Sequence, residues 1–198
     1  MNPLFFDTGR CAVNNTLKNQ ALLASGLLGF VIPTWFAWTL YVDRIPQNVA
    51  TWGMVFALDG LGLILAFKGG NRKPYLQVGW AMAALCIFAA VMLNGEQIVW
   101  GWTETVSVIL CGIAVVLWVT RSALVAQWAY MTAMYISFVP LMKDYLEEPQ
   151  PDTLWLWLWT IASCLLAILG AEKRDFANTF VPWAAAGLNA IIVLLCIL

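Results

Sequence analysis

Apolar residues run along this chain in blocks too long and too continuous for a soluble fold. Seven blocks stand out, at roughly 20–42, 49–68, 76–94, 102–120, 123–142, 153–171 and 177–198. A helix needs about 20 mainly apolar residues to cross the hydrocarbon core of a bilayer, so each block predicts a transmembrane helix. The polar positions fall between the blocks, in short connections rich in turn formers: Pro46 and Asn48, Gly69-Gly70-Asn71, Asn94-Gly95, and Pro149 with Pro151. Only Arg121-Ser122 separates the fourth block from the fifth. No connection is long enough to hold an extramembrane domain. The first block starts late and has no small-residue cleavage site after a short core, so no cleavable signal peptide is expected.

Composition agrees with the pattern and narrows it. Of 198 residues, 62% are hydrophobic and only 11% are charged, against about 25% charged in an ordinary soluble domain. Mean hydropathy is +0.80. A soluble fold of this size has too much surface to hide so many apolar side chains. Soluble enzymes, nucleic-acid binders and disordered chains are thereby excluded. The 10 basic and 11 acidic residues carry no polybasic signature. There is no His to serve as general base or metal ligand. The five cysteines, Cys11, Cys86, Cys111, Cys164 and Cys196, form no CxxC pair. Neither a metal site nor a disulfide framework is expected.

Lys and Arg placement predicts the orientation. With the N-terminus cytoplasmic, the inner side collects Arg10, Lys18, Lys68, Arg72, Lys73, Arg121, Lys173 and Arg174, and the outer side keeps Arg44 and Lys143. The expected topology is N-in/C-out. The outer connections then carry Asp43, Glu96, Asp144, Glu147, Glu148 and Asp152, either a solvated acidic face or a cluster that could concentrate cations at an outer mouth. Seven spans also invite comparison with retinal proteins, which need a Lys in the last helix for a Schiff base. The seventh span has none, and Lys68 stands at the end of the second. The loops and motifs of hormone-type receptors are absent too.

The chain also repeats itself. An ungapped offset of 103 residues sets the second and third spans on the sixth and seventh. Pro46-Gln47 then meets Pro149-Gln150, Trp52 meets Trp155, and Trp80 meets Trp183. The first and fifth spans carry Pro33 and Pro140, which align after a shift of four residues. Proline inside a spanning helix removes a hydrogen bond and kinks it, so these two are candidate hinges. The expected organisation is an N-terminal cytoplasmic tail (1–19), a three-helix unit (20–94), a linker helix (95–122) and a second three-helix unit (123–198). Three helices and a linker make an even number of crossings between equivalent helices. Both units therefore run in the same direction, as a parallel repeat.

The 3+1+3 layout, the Pro33 and Pro140 helices and the short loops resemble the SWEET and PQ-loop transporter superfamily. The segments from Ala50-Thr51-Trp52 to Asp59, and from Phe138-Val139-Pro140 to Glu172-Lys173, are similar to those of bacterial seven-span proteins of that fold. The likeness covers about residues 22–198. Here the Pro-Gln pairs lie in outer connections, and the charges read N-in where SWEET proteins are usually N-out. The resemblance implies an all-α integral membrane protein of the bacterial inner membrane that moves a small solute between its two units. It also implies that Asn189, in the seventh span, holds substrate hydroxyls. Its repeat mate is Cys86, so a symmetric pair of Asn is absent.

Polar groups inside a span are costly and point to function. Asp59 stands near the middle of the second span, beside Gly60 and Gly62, which would let a helix or ligand approach. It could bind a cation, carry a proton, accept a substrate hydroxyl, or simply be satisfied by an amide such as Gln77, Gln127 or Asn189. Trp100, Trp102 and Trp118 lie at span ends, as interfacial anchors do. Trp155, Trp157 and Trp159 alternate and so occupy more than one helix face. Trp52 and Trp155 could rim an outer vestibule. Gln127 and Tyr130 share a face of the fifth span with Met134, turned either into a central path or against the linker. Asp59, Asn189, Trp52, Trp155, Gln127 and Tyr130 are the candidate solute-contacting residues.

The expected function is a small-solute transporter or facilitator. Its partners would be the bilayer and a small solute, with a coupling cation or proton, and a homo-oligomer is left open. No cofactor and no enzymatic activity are expected, since Asp59 would be a lone catalytic carboxylate. Gly69-Gly70 lacks the spacing of an ATP-binding loop. A ligand sensor or a subunit of a larger membrane complex is the alternative.

Overall fold

The structure is a computed structural model that describes residues 7–198 except Pro46, Glu96, Arg121, Ser122, Glu148 and residues 173–175; for residues 7–14, 123–124 and 176–177 only the backbone is described. The Pro46–Pro149 match, the Arg121-Ser122 boundary, the Cys11 side chain, and the charges of Arg10, Glu96, Arg121, Glu148, Lys173 and Arg174 therefore lie outside what is described.

The chain folds into helices: α1 (Asp7–Asp43), α2 (Val49–Lys68), α3 (Tyr75–Leu93), α4 (Trp102–Thr120), α5 (Ala123–Ser137), α6 (Val139–Glu147), α7 (Leu154–Gly170) and α8 (Phe176–Ile197), with a 3-10 turn at Pro151–Thr153. No strand occurs among the described residues. Six helical segments are long and apolar enough to cross a membrane: Asn15–Asp43, Val49–Lys68, Tyr75–Leu93, Trp102–Thr120, Pro151–Gly170 and Asn178–Ile197. The protein is an all-helical membrane protein.

The fifth apolar block departs from expectation. It is two helices, α5 of 15 residues and α6 of nine. Alone, α5 reaches about 22 Å, short of the ~30 Å hydrocarbon core. Pro140 accounts for the break, because it has no N–H to offer the Ile136 carbonyl and its ring crowds that turn. The backbone bends and resumes around the missing bond. Phe138 N–H still reaches the Met134 carbonyl at 3.3 Å, and Met142 N–H reaches the Phe138 carbonyl at 2.9 Å. Pro33, the other expected hinge, sits inside an unbroken α1. That helix also begins well before residue 20. Its 37 residues span about 55 Å, much more than the bilayer core.

Polar contacts at the helix ends define two rims. At the basic rim, where Lys18, Lys68, Arg72 and Lys73 gather, the Lys73 ammonium donates to Asn19 Oδ1 at 2.7 Å and pairs with Glu172 at 2.7 Å. One side chain thus ties α1, the α2–α3 connection and the end of α7. At the opposite, acidic rim, Asn48 Oδ1 accepts the Ala50 N–H at 3.0 Å and caps α2, while Asn48 Nδ2 donates to the Val99 carbonyl at 2.8 Å. Glu104 is buried in the first turn of α4. It accepts the Gly101 N–H at 2.9 Å and the Thr103 hydroxyl at 2.8 Å on one oxygen, and the Thr51 hydroxyl at 3.0 Å on the other. The same carboxylate therefore caps its own helix and hooks α4 onto α2.

Within the bundle, α1 and α2 each pack along α3, and α7, α5 and α6 each pack on α8. Across these two groups α1 packs on α7 and α2 packs on α5. The remaining long helix, α4, packs on α5 and touches α2. The α1–α3 crossing is made by backbone approach at Gly26 and Gly79. A Cβ on Gly26 would lie 2.7 Å from the Tyr75 carbonyl oxygen, and one on Gly79 would strike the Gly26 carbonyl. The α1–α7 crossing is similar, since a Cβ on Gly170 would lie 2.8 Å from the Lys18 carbonyl oxygen. Small residues at crossings are how lipid-embedded helices gain contact. Gly79→Val should push α1 from α3 and lower stability by about 1–3 kcal/mol, read as a drop in Tm of the purified protein in detergent. An unchanged Tm would show that the crossing has slack.

Candidate functional site

A hollow of about 90 Å³ lies between the two helix groups. Its wall takes residues from α1, α2, α3, α5, α7 and α8, and none from α4. The polar and aromatic members are Asp59 and Trp52 on α2, Trp80 on α3, Tyr130 on α5, Phe138 at the α5–α6 junction, Trp157 and Thr160 on α7 and Asn189 on α8. Most of the rest is aliphatic, with Val55, Ile87, Met131 and Leu156.

Asp59 is buried, at 8% exposure, halfway along α2. Among the described residues no side chain donates a hydrogen bond or pairs with it. The three amides expected as partners are placed otherwise. Asn189 Nδ2 donates to the Ala185 carbonyl one turn back, at 2.7 Å. Gln77 lines a different hollow. Gln127 is buried near Gly69, outside the central wall, with its Oε1 unpartnered. Of the two glycines beside Asp59, Gly62 admits a neighbour: a Cβ there would lie 2.6 Å from the Tyr130 hydroxyl. A Cβ on Gly60 would meet nothing within 4 Å. The Tyr130 ring is thus held against α2, one helical turn from the carboxyl.

Five predicted residues, Asp59, Asn189, Trp52, Tyr130 and Pro33, come together on this wall. Trp155 does not. It is half-buried against the core, and Trp157, two residues on, lines the hollow instead. Trp157 meets Phe138 edge-on, with centroids 6.2 Å apart at 80°, and Tyr145 at 6.3 Å and 74°. The 103-residue offset matched Trp52 to Trp155 by letter, whereas Trp52 and Trp157 share burial and position. Of the three alternating Trp of α7, Trp159 is the exposed one. Trp80 was legible only as a repeat mate. Its neighbours Gly79, Ala81, Ala83 and Ala84 were the available signal, because small residues beside a large ring leave that ring room to reach across.

Two further hollows flank the first. Toward the acidic rim a space of about 50 Å³ is lined by Gln47, Asn48, Thr51, Pro140 and Asp144, and shares Trp52, Val55 and Phe138 with the central wall. Those three residues stand between the two spaces. The Trp52 indole is fixed there by donating to Gln47 Oε1 at 3.0 Å. Toward the basic rim a polar vestibule of about 480 Å³ is lined by Asn71, Arg72, Gln77, Glu172 and Asn178 among others. A separate small cluster of Leu76, Cys164, Ala167, Ala185 and Ala186, with Trp80 against it, lies between vestibule and centre. Trp80 and Ala185 belong also to the central wall, and Ala167 to the vestibule.

No family model, no curated protein and no solved structure matches this chain.

An unpartnered carboxyl in an apolar wall opposes folding, because its desolvation is not repaid. Asp59→Leu should therefore raise the thermal stability of the purified protein, by about 1–4 kcal/mol on the scale of buried ionic groups replaced by apolar ones. A fall in Tm would mean that Asp59 holds helices together.

Proposed function

We propose that the protein is a small-solute transporter of the bacterial inner membrane, of the SWEET-like 3+1+3 kind, with its N-terminus cytoplasmic. The observation that carries this reading is the central hollow, walled by six helices from both groups and bounded on each side by a thin layer of side chains. A carrier needs one site and two barriers that open in turn. Here the barrier toward the acidic rim is Trp52, Val55 and Phe138, and the barrier toward the basic rim is the Leu76–Cys164–Ala186 cluster with Trp80.

The helix contacts support the repeat. Exchanging the first unit (α1, α2, α3) for the second (α5 with α6, α7, α8) turns the α1–α7 contact into α5–α2, which is present. In each unit the third helix carries the other two. On this reading α5 and α6 together make the fifth crossing, and Phe138, at their junction, is a moving part of the outer barrier. Pro140, which causes the junction, is the hinge of that half, and Pro33 marks the matching place in α1. Rocking of one unit on the other would then pass the solute from the acidic to the basic rim.

The test is exchange across a membrane. Wild-type protein in liposomes should support counterflow of a solute selected by thermal shift, since a binder stabilises the folded state. Asp59→Asn should reduce that exchange by at least about tenfold, as expected for losing an intramembrane functional group. A protein that binds a solute but never exchanges it would instead be a ligand sensor. Orientation is checked separately: Asn71→Cys should be labelled by an impermeant thiol reagent only from the cytoplasmic side, and labelling from outside intact cells would reverse the topology.

A further inference from the structure

We propose that the central hollow takes a small organic ammonium cation, held against the Asp59 carboxylate and surrounded by Trp52, Trp80, Trp157 and Tyr130. The inference rests on the reading of this hollow as the solute site, and it names the chemistry that would fill it.

Charge comes first. Among the described residues Asp59 is the one carboxylic acid on the wall, and neither Lys nor Arg lines it. A carboxylate with no partner in an apolar surrounding calls for a counter-charge, and this wall leaves the ligand to bring it. The remaining surface is chiefly ring and aliphatic. With Phe138, five aromatic residues line a space of about 90 Å³. Aromatic faces attract ammonium groups through their quadrupoles, most strongly when water is excluded, and alkylated ammonium ions are the ligands such cages recognise.

The wall disfavours the alternatives. A sugar brings several hydroxyls, each costly when buried without a partner. The polar groups available are few: Asn189 Nδ2 gives one of its two N–H groups to the Ala185 carbonyl, the Thr160 hydroxyl donates to the Leu156 carbonyl at 2.8 Å, and the indole N–H groups of Trp80 and Trp157 have no partner among the described residues. The acceptors on this wall, Asn189 Oδ1 and the Thr160 oxygen, share it with the Asp59 carboxylate and suit a cation. A hard inorganic cation takes about six or more oxygen ligands, more than the wall offers. A compact organic ammonium ion needs one carboxylate and a soft apolar shell, and both are present. The approach fits as well. Asp144 lines the hollow beyond Trp52 and Phe138, on the rim where Asp43, Glu147 and Asp152 also stand, and acidic mouths concentrate cations.

The test uses the full-length protein in nanodiscs, titrated calorimetrically with tetramethylammonium, choline and ethanolamine chlorides. Tert-butanol and glucose serve as neutral probes of similar shape or greater polarity. At least one ammonium ion should bind saturably and the neutral probes should not. Asp59→Asn should weaken that binding by about tenfold or more. Trp52→Leu should weaken it by about tenfold while Trp52→Phe keeps most of it, a pair that decides the matter even if the Asp59 variant fails to fold. Saturable binding of glucose without any ammonium binding, or ammonium binding indifferent to both Asp59→Asn and Trp52→Leu, would overturn the proposal. Counterflow in liposomes separates the two readings. Asp59-dependent ammonium binding without exchange upholds the ligand class and removes transport. Exchange of a neutral solute without ammonium binding upholds transport and removes the ligand class.

Discussion

Helices surrounded by lipid gain little by hiding apolar surface from one another, so association depends on how closely their backbones can approach. In this protein that approach is concentrated at a few glycines. Gly26 and Gly79 bring α1 onto α3, and Gly170 brings α7 onto α1. These crossings fix α1 between its own group and the other one. Toward the middle the side chains become large: Trp52, Trp80, Trp157 and Tyr130 replace glycine and alanine. Rings of that size cannot interdigitate as closely as small residues do, and a central space is the geometric result. Gly62 is the exception, making room for Tyr130 beside Asp59.

The tight crossings also bear the cost of the carboxyl. A buried, unpartnered acid is a debit of several kcal/mol at most sites, and it persists only where the surrounding contacts over-determine the fold. Here Leu40, Leu58, Leu65 and Ile192 are fully buried in one core cluster, while Lys73 and Glu104 fasten the two rims. Stability is kept at the ends and crossings, and the middle is free to be chemically awkward.

Much of this was legible in the sequence, and the reasons differ by residue. The apolar blocks gave the helices because the bilayer dictates their length. Asp59 was conspicuous because a charge inside an apolar run has few innocent explanations. Asn189, Tyr130 and Pro33 also reached the central wall. Trp155 did not, because identical letters on two helices do not say which face each ring occupies; Trp157, two residues on, is the buried one that lines the hollow. The break at Phe138 was foreshadowed by Pro140, yet Pro33 leaves α1 whole, so a proline alone does not say whether a helix bends or breaks. Glu104 was invisible as a fastener. Its partners Thr51 and Asn48 are more than 50 residues away, and nothing local marks it beyond its place in a first turn.

The position of α4 has a consequence for how the chain holds together. It lies along α5 and reaches the first group chiefly through the Glu104 hook on Thr51. The two groups therefore meet as two subunits would, through α1 on α7 and α2 on α5, and the connection from Asn94 to Gly101 acts on them as a leash. Beyond the Asn48–Val99 hydrogen bonds that pin it to the start of α2, this leash adds little contact. It raises the effective concentration of one partner around the other, to the millimolar range for short links. In thermodynamic terms each group is always supplied to the other, so the α1–α7 and α2–α5 interfaces need not hold two free partners together.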